Sequence, residues 1–489
     1  MHTSLLPWLA LSAALLPTAT AFYPYHYEDD STTSNSRRTP SSPAVANTDS
    51  RSITLPIHRI TTSSSLRTRQ NAYKIVNSND PKQANSVAID QDGGDLSYMV
   101  AVTIGDSKEE YHLLLDSAAS NTWVMGQDCR SNACKLHNSF GTSDSSSLKT
   151  QTTPFSVTYG TGSVSGTLAT DTLHIGPLSP SLTFGLANDV SSEFSSYPMD
   201  GILGIGRGTA DNIAAPKLLD VLSTSKLISA KIYGVHLSRA TDGLSDGELN
   251  LGTVNKDRFT GDLNYVDCVP NDTGFWEVPV SAASVDTNSI PLASARNAII
   301  DTGTSFILMP PSDALALHKN IAGYVQDGET FSVPCDTAAT VQFSFNNVPY
   351  NISTADWRGG KLSTGLCRSN IVGRQTFGEK QWLVGDVFLK NVYSVFDAEK
   401  WRVGFGVKSA GAATPSASSA VPPPPTSAGV PDAAETGLVG SPGAAAPSSA
   451  AAEATQQDQK DELQKGAGIK RNAMSRVVVL LASSMFILG

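Results

Sequence analysis

Two stretches of this chain are imperfect copies of one another: LLLDSAASNTWVMG, Leu113 to Gly126, and AIIDTGTSFILMP, Ala298 to Pro310. Each sets an aspartate, Asp116 or Asp301, after an apolar run and follows it with small residues. An apolar, apolar, glycine triplet then recurs at nearly equal distance. Ile202-Leu203-Gly204 ends 88 positions after Asp116, and Leu383-Val384-Gly385 ends 84 positions after Asp301. An internal repeat limits the fold more than any local signal, because each unit must close its own apolar face and then pack on its copy. The expectation is two similar lobes. In each, a buried strand (HLLL, NAII) lifts one aspartate into a tight loop at the lobe surface.

Composition fits such a body. Only 16% of the 489 residues are charged, and the central region reads as short alternating runs rich in Ser, Thr, Gly and Val between turn residues, the mark of a mainly β protein. A formal net charge of -10 and a pI near 5.3 argue against nucleic acid as a partner, since phosphate binding needs a basic face. The eight histidines form no HExxH pair, and the five cysteines are too scattered for a zinc ribbon, so no metal is expected. Cys129 and Cys134 are close enough to close a small loop, Cys335 and Cys367 could close a longer one, and Cys268 is left over. Spacing alone does not fix that connectivity.

The two ends differ from the body. Residues 1–21, MHTSLLPWLALSAALLPTATA, hold a short apolar core ending in Ala19-Thr20-Ala21, the pattern of a cleaved secretion signal. From residue 409 to 465 the chain is rich in Ala, Ser and Pro (PSASSAVPPPPTSAG), which cannot bury a core and reads as an extended stalk. Residues 466–489 combine Gly466-Ala467-Gly468, a polar spacer and the apolar run VVVLLASSMFILG, which fits a GPI-attachment signal with Gly466 as the attachment residue. Lys460-Asp461-Glu462-Leu463 spells an ER retention signal but is internal. The expected location is therefore the outer cell surface, anchored to the membrane through lipid. Asn271-Asp272-Thr273 and Asn351-Ile352-Ser353 are glycosylation sequons consistent with export.

Across Leu96 to Lys408 the sequence resembles the pepsin-like aspartic proteases, in particular fungal GPI-anchored cathepsin-D-like and yapsin-like enzymes. The resemblance rests on DTGTSFILMP at Asp301, VTYGTGSVSGTLATDTLHIG at Val157 to Gly176, MDGILGIG and WLVGDVFLKNVYSVFDAEKWRVGFG, in the family's order. It implies a mainly β, bilobal fold, its lobes related by a pseudo-twofold axis around a central cleft. It further implies a peptidase domain over 91–408, made as a monomeric zymogen with a propeptide over about 22–90. The propeptide's Arg37, Arg38, Arg51, Arg59, Arg67 and Arg69 would neutralise an acidic cleft.

By the same resemblance Asp116 and Asp301 are catalytic, and Ser117 and Thr302 lock the two aspartate loops together. Thr304 hydrogen-bonds Asp301. Tyr159, Gly160, Thr161 and Gly162 belong to a mobile flap, Trp123 holds the flap tyrosine, and Leu114, Tyr159, Met199 and Ile202 wall an apolar specificity pocket. The chemistry follows from acid–base needs. Peptide hydrolysis requires a base to activate water and an acid to protonate the substrate, and one carboxylate cannot be both at once. Two carboxylates pressed together share one proton, a known property of aspartic proteases. No cofactor is required, and the partners are protein or peptide substrates.

Ala118 and Ala119 depart from the family pattern of glycine followed by Ser or Thr. Ala119 lacks a hydroxyl for Asp116, which raises that carboxyl's expected pKa. Ala118 adds a methyl that would strain the loop if its φ were positive. The rival reading is a catalytically inactive surface protein that only binds peptides or adheres. Gly243-Leu244-Ser245-Asp246-Gly247 fits G-x-S-x-G but sits in a polar turn, and neither GTG nor GIG completes a dinucleotide loop.

Overall fold

The computed structural model describes residues 71–208 and 213–409. The signal segment, the propeptide up to residue 70, the stalk beyond Ser409 and the attachment signal with Gly466 lie outside the described residues.

The described chain is mainly β, as its alternating pattern requires, and each half contains the same three-strand unit. In the first, Gly201–Gly204 runs parallel to Tyr111–Asp116, with Gly204 opposite Asp116, and antiparallel to Trp123–Met125. In the second, Gln381–Val384 runs parallel to Arg296–Ile300 and antiparallel to Ile307–Leu308. The repeated triplet thus supplies the middle strand of each unit, and its glycine has a steric reason. A Cβ at Gly204 would stand 2.4 Å from the Asn121 carbonyl oxygen, and one at Gly385 1.9 Å from that of Thr304. Each aspartate loop crosses directly over its glycine.

The first unit extends into an eight-stranded sheet that includes the hairpin Lys149–Tyr159 and Gly162–His174. The second heads a five-stranded sheet. A six-stranded sheet draws strands from the start, middle and end of the described chain: Ser86–Ala88, Ile232–His236, Glu248–Leu251, Phe259–Asp267, Val392–Asp397 and Arg402–Lys408. The apolar runs before each aspartate are wholly inside. Leu113, Leu115, Ile299 and Ile300 are all buried, each worth about 1.5–3 kcal/mol relative to exposure.

Both candidate disulfides form, Cys129 to Cys134 and Cys335 to Cys367. Cys268 is buried and unpaired among the described residues, and burial pushes its thiol up to about 12, so it carries no thiolate chemistry. Among the described residues no helix is long and apolar enough to cross a membrane, and no group of three or more His, Cys, Asp or Glu could hold a metal. Ser245 of the G-x-S-x-G stretch sits at φ 44° in a turn leading into Glu248–Leu251, not between a strand and a helix. That removes the nucleophile-elbow geometry.

Candidate active site

Asp116 ends one strand and Asp301 immediately follows another, and both side chains are fully buried. Their loops grip each other reciprocally. The Ser117 N–H donates to Thr302 Oγ1 at 3.0 Å while the Thr302 N–H donates to Ser117 Oγ at 3.0 Å. The two hydroxyls then donate onward across the interface, Ser117 to the Ile300 carbonyl at 3.1 Å and Thr302 to the Leu115 carbonyl at 2.7 Å. Four hydrogen bonds thereby fix the end of each strand against the other, with every polar atom of both hydroxyls used.

Within each loop the backbone turns back on its own carboxylate, as short polar side chains at tight turns do. Asp116 Oδ1 accepts from the Ala118 N–H at 2.9 Å and the Ala119 N–H at 2.7 Å. Asp301 Oδ1 accepts from the Gly303 N–H at 2.9 Å, and its Oδ2 from the Thr304 hydroxyl at 2.6 Å. Asp116 Oδ2 has no donor of its own among the described residues. Its neighbour is the Asp301 carboxyl, with which a hydrogen bond forms once a proton lies between them. Burial raises both carboxyls above the ordinary aspartate range, and the charge of Asp301 raises Asp116 further, against the pull of its two N–H donors. Asp301 rises less, to about 6, because the Thr304 hydroxyl and Gly303 N–H favour its charged form.

The departures at Ala118 and Ala119 are resolved by this geometry. Ala118 is buried and does not lie in the left-handed region, so its methyl is packed without backbone strain. Ala119 contributes only its N–H to Asp116, leaving Oδ2 without the hydroxyl that Thr304 gives Asp301.

The residues assigned by resemblance to the flap lie together at the tip of the hairpin Lys149–Tyr159 and Gly162–His174. Trp123 Nε1 donates to Tyr159 Oη at 2.7 Å, and Tyr159 pairs with Gly162 across the two-residue tip Gly160-Thr161. Leu114, Met199 and Ile202 are buried in one apolar cluster with both rings. The sequence reading missed Phe194. Its ring stands edge-on to Trp123 at 5.6 Å and to Tyr159 at 6.1 Å, on the short helix Ser192–Ser196 just before Met199. An aromatic in the polar run SSEFSSYP was the only signal.

The sequons differ. The Asn271 amide nitrogen donates to both the Val269 and Phe275 carbonyls, which uses the atom a sugar would occupy. Asn351 is exposed, with its amide oxygen accepting from Gln342.

Residues 97–408 match the family described as eukaryotic aspartyl protease. The aspartic-type endopeptidase ctsD of Aspergillus fumigatus is 41% identical over 375 residues, 76% of this chain and 78% of that protein. A probable aspartic-type endopeptidase CTSD of Arthroderma benhamiae is 42% identical over 357 residues, 72% of this chain and 69% of its own length. Pepsin A of Sus scrofa is 31% identical over 318 residues, covering 63% of this chain and 80% of that protein.

Gly303 has no room for a side chain: a Cβ there would stand 2.6 Å from Asp116 Cγ and 2.7 Å from Oδ2. Gly303→Ala should therefore displace the Asp116 carboxyl and lower kcat roughly a hundredfold while the protein stays folded. Peptide cleavage and a melting curve on the same sample check this. Activity within threefold of the parent would contradict the close packing of the pair.

Proposed function

The chain belongs to the eukaryotic aspartyl protease family and is an aspartic-type endopeptidase, and we propose that it works at acid pH through one proton shared unequally by Asp116 and Asp301. The observation that carries this reading is the asymmetry of donors on two buried, touching carboxyls. Three of the four carboxylate oxygens accept hydrogen bonds from N–H or hydroxyl groups of the loops, and the fourth, Asp116 Oδ2, accepts none among the described residues. The shared proton therefore rests on Asp116 Oδ2, and Asp301 carries the charge.

The reaction balances with these groups and water. Asp301 takes a proton from a water held between the carboxyls as its oxygen bonds to the scissile carbonyl carbon, and Asp116 passes its proton to the carbonyl oxygen. The product is a neutral diol. Collapse returns one diol proton to Asp116, while Asp301 delivers its proton to the departing nitrogen and the C–N bond breaks. Closure of the Gly160-Thr161 tip excludes water from the site during these steps. Ala118, the residue on which an inactive surface protein would rest, gives that rival no support, since its backbone is unstrained.

The sequence features at the two ends support export and surface anchoring through Gly466, and two disulfides suit an oxidising compartment. Truncation before Gly466 should release the protein from membranes into the medium. Retention of the truncated chain on membranes would overturn the anchor.

The walls of the main pocket, Leu114, Tyr159, Met199 and Ile202, are uncharged and share one buried cluster, so a bulky apolar residue beside the cut gains burial while a lysine would be left unpaired. Profiling cuts in a mixed peptide library should return mainly Phe, Leu, Met and Tyr at that position. A majority of cuts after Lys or Arg would defeat the assignment.

Ala119→Ser would offer Asp116 Oδ2 a hydroxyl. Because that donor favours the ionised form, the dyad should lose its first proton at lower pH, and the acidic limb of kcat/KM should move down by roughly half a unit to one unit. An unmoved limb, or one shifted upward, would show that the missing hydroxyl does not set the pair's titration.

A further inference from the structure

The stretch Asn71 to Asn79, ahead of the strand Ser86–Ala88, is tied to the half that carries Asp116 and, at Asn79, to the turn leading into Glu248–Leu251. Asn71 Nδ2 donates to the Pro198 carbonyl at 2.6 Å and to Asp200 Oδ1 at 3.0 Å. The Ala72 N–H donates to the Leu136 carbonyl at 2.9 Å. Tyr73 Oη donates to the Ser195 carbonyl, and the Tyr73 ring stacks on His137 at 5.0 Å. Ile75 packs against the apolar cluster that holds Leu114, Tyr159, Met199 and Ile202. Val76 and Gln91 exchange both backbone hydrogen bonds, at 2.7 and 3.1 Å. Ser78 reaches Asp90 and Ile89, and Asn79 reaches the Leu244 and Ser245 backbone.

Two of these grips matter for the site. Tyr73 and Asn71 hold Ser195 and Pro198, which bracket the turn between Phe194 and Met199. Phe194 stands edge-on to Trp123 and Tyr159, and Met199 shares their buried apolar cluster and belongs to the proposed pocket wall. Further along, Ser86–Ala88 forms an edge strand of the six-stranded sheet, paired with Glu248–Leu251, and Val87 and Ile89 are buried. A chain cut near residue 90 would strip that strand and expose its apolar residues.

We propose that Asn71–Asn79 stays with the working enzyme as a strap, that Tyr73 is a positioning residue for the pocket and flap through the turn Ser195–Pro198, and that the activation cut lies upstream of Asn71. The proposal rests on the reading of Asp116 and Asp301 as a peptidase pair. It revises the boundary near residue 90 that the sequence suggested for the propeptide. Tyr73 acts on substrate only through Phe194 and Met199, so its loss should weaken binding more than chemistry.

The test uses the full chain, matured as it is made. The N-terminal sequence of the active form should begin at or before Asn71, and a start between Asp80 and Ser86, or later, would overturn the strap. In the second arm, Tyr73→Ala and Tyr73→Phe are compared with the parent after titration of active sites with pepstatin. Tyr73→Ala should raise KM roughly five- to tenfold with kcat within twofold, and Tyr73→Phe, which keeps the ring on His137 but lacks the hydroxyl that holds Ser195, should raise KM about two- to fourfold. An Ala variant with a lower melting temperature but unchanged KM per active site would reduce Tyr73 to a structural role and overturn the positioning claim. If no preparation cleaves peptides or binds pepstatin, the peptidase reading fails. The strap is then judged by backbone hydrogen exchange over residues 192–200, which should speed up in Tyr73→Ala; unchanged exchange overturns it.

Discussion

The reciprocal bonds between Ser117 and Thr302 are the constraint on which the rest of the site depends. A pair of carboxyls both raised by burial, with Asp116 raised further by the charge of Asp301, would separate if their loops could move. Each loop is held by the other through an N–H, a hydroxyl and a carbonyl near the end of the opposite strand, so displacing one aspartate requires breaking bonds in both halves. The cost of holding two acids together is thereby spread over the strands Tyr111–Asp116 and Arg296–Ile300 and the central strands paired with them. Gly204 and Gly385 complete the arrangement by letting each loop lie flat on its own sheet.

Within this symmetric frame the chemistry is made asymmetric by single atoms. Thr304 supplies a hydroxyl to Asp301, and Ala119 supplies none to Asp116. Gly303 leaves space that the Asp116 carboxyl fills, and at the equivalent place in the other loop Ala118 carries a buried methyl. In the proposed mechanism this difference of one oxygen decides which acid keeps the proton, because in a buried site each hydrogen bond to the charged form counts strongly.

Much of this was legible from the chain alone, for a physical reason. The repeat of apolar run, aspartate and distant glycine encodes the two three-strand units, since only that spacing brings a glycine beneath each loop. The pairing of Trp123 with Tyr159 and the roles of Ser117, Thr302 and Thr304 followed from resemblance and recur in the coordinates as hydrogen bonds. Phe194 was not legible, because two aromatics in a short polar loop, Phe194 and Tyr197, carry no period that marks a buried face. Nor was the docking of Tyr73, whose partners His137 and Ser195 are 64 and 122 positions away in sequence. The strain feared at Ala118 depended on a backbone angle that sequence does not encode, and the angle is ordinary.

In the proposed mechanism Asp116 and Asp301 form one acid–base unit that neither can replace alone. Its most direct test is kcat/KM for a peptide with an apolar residue at the cut, measured across pH 3 to 7 for Asp116→Asn and Asp301→Asn, with melting curves to show that both variants fold. Each variant should lose at least about a thousandfold at every pH, because each retains an acid or a base but not the pair. Substantial cleavage by either folded variant would contradict it.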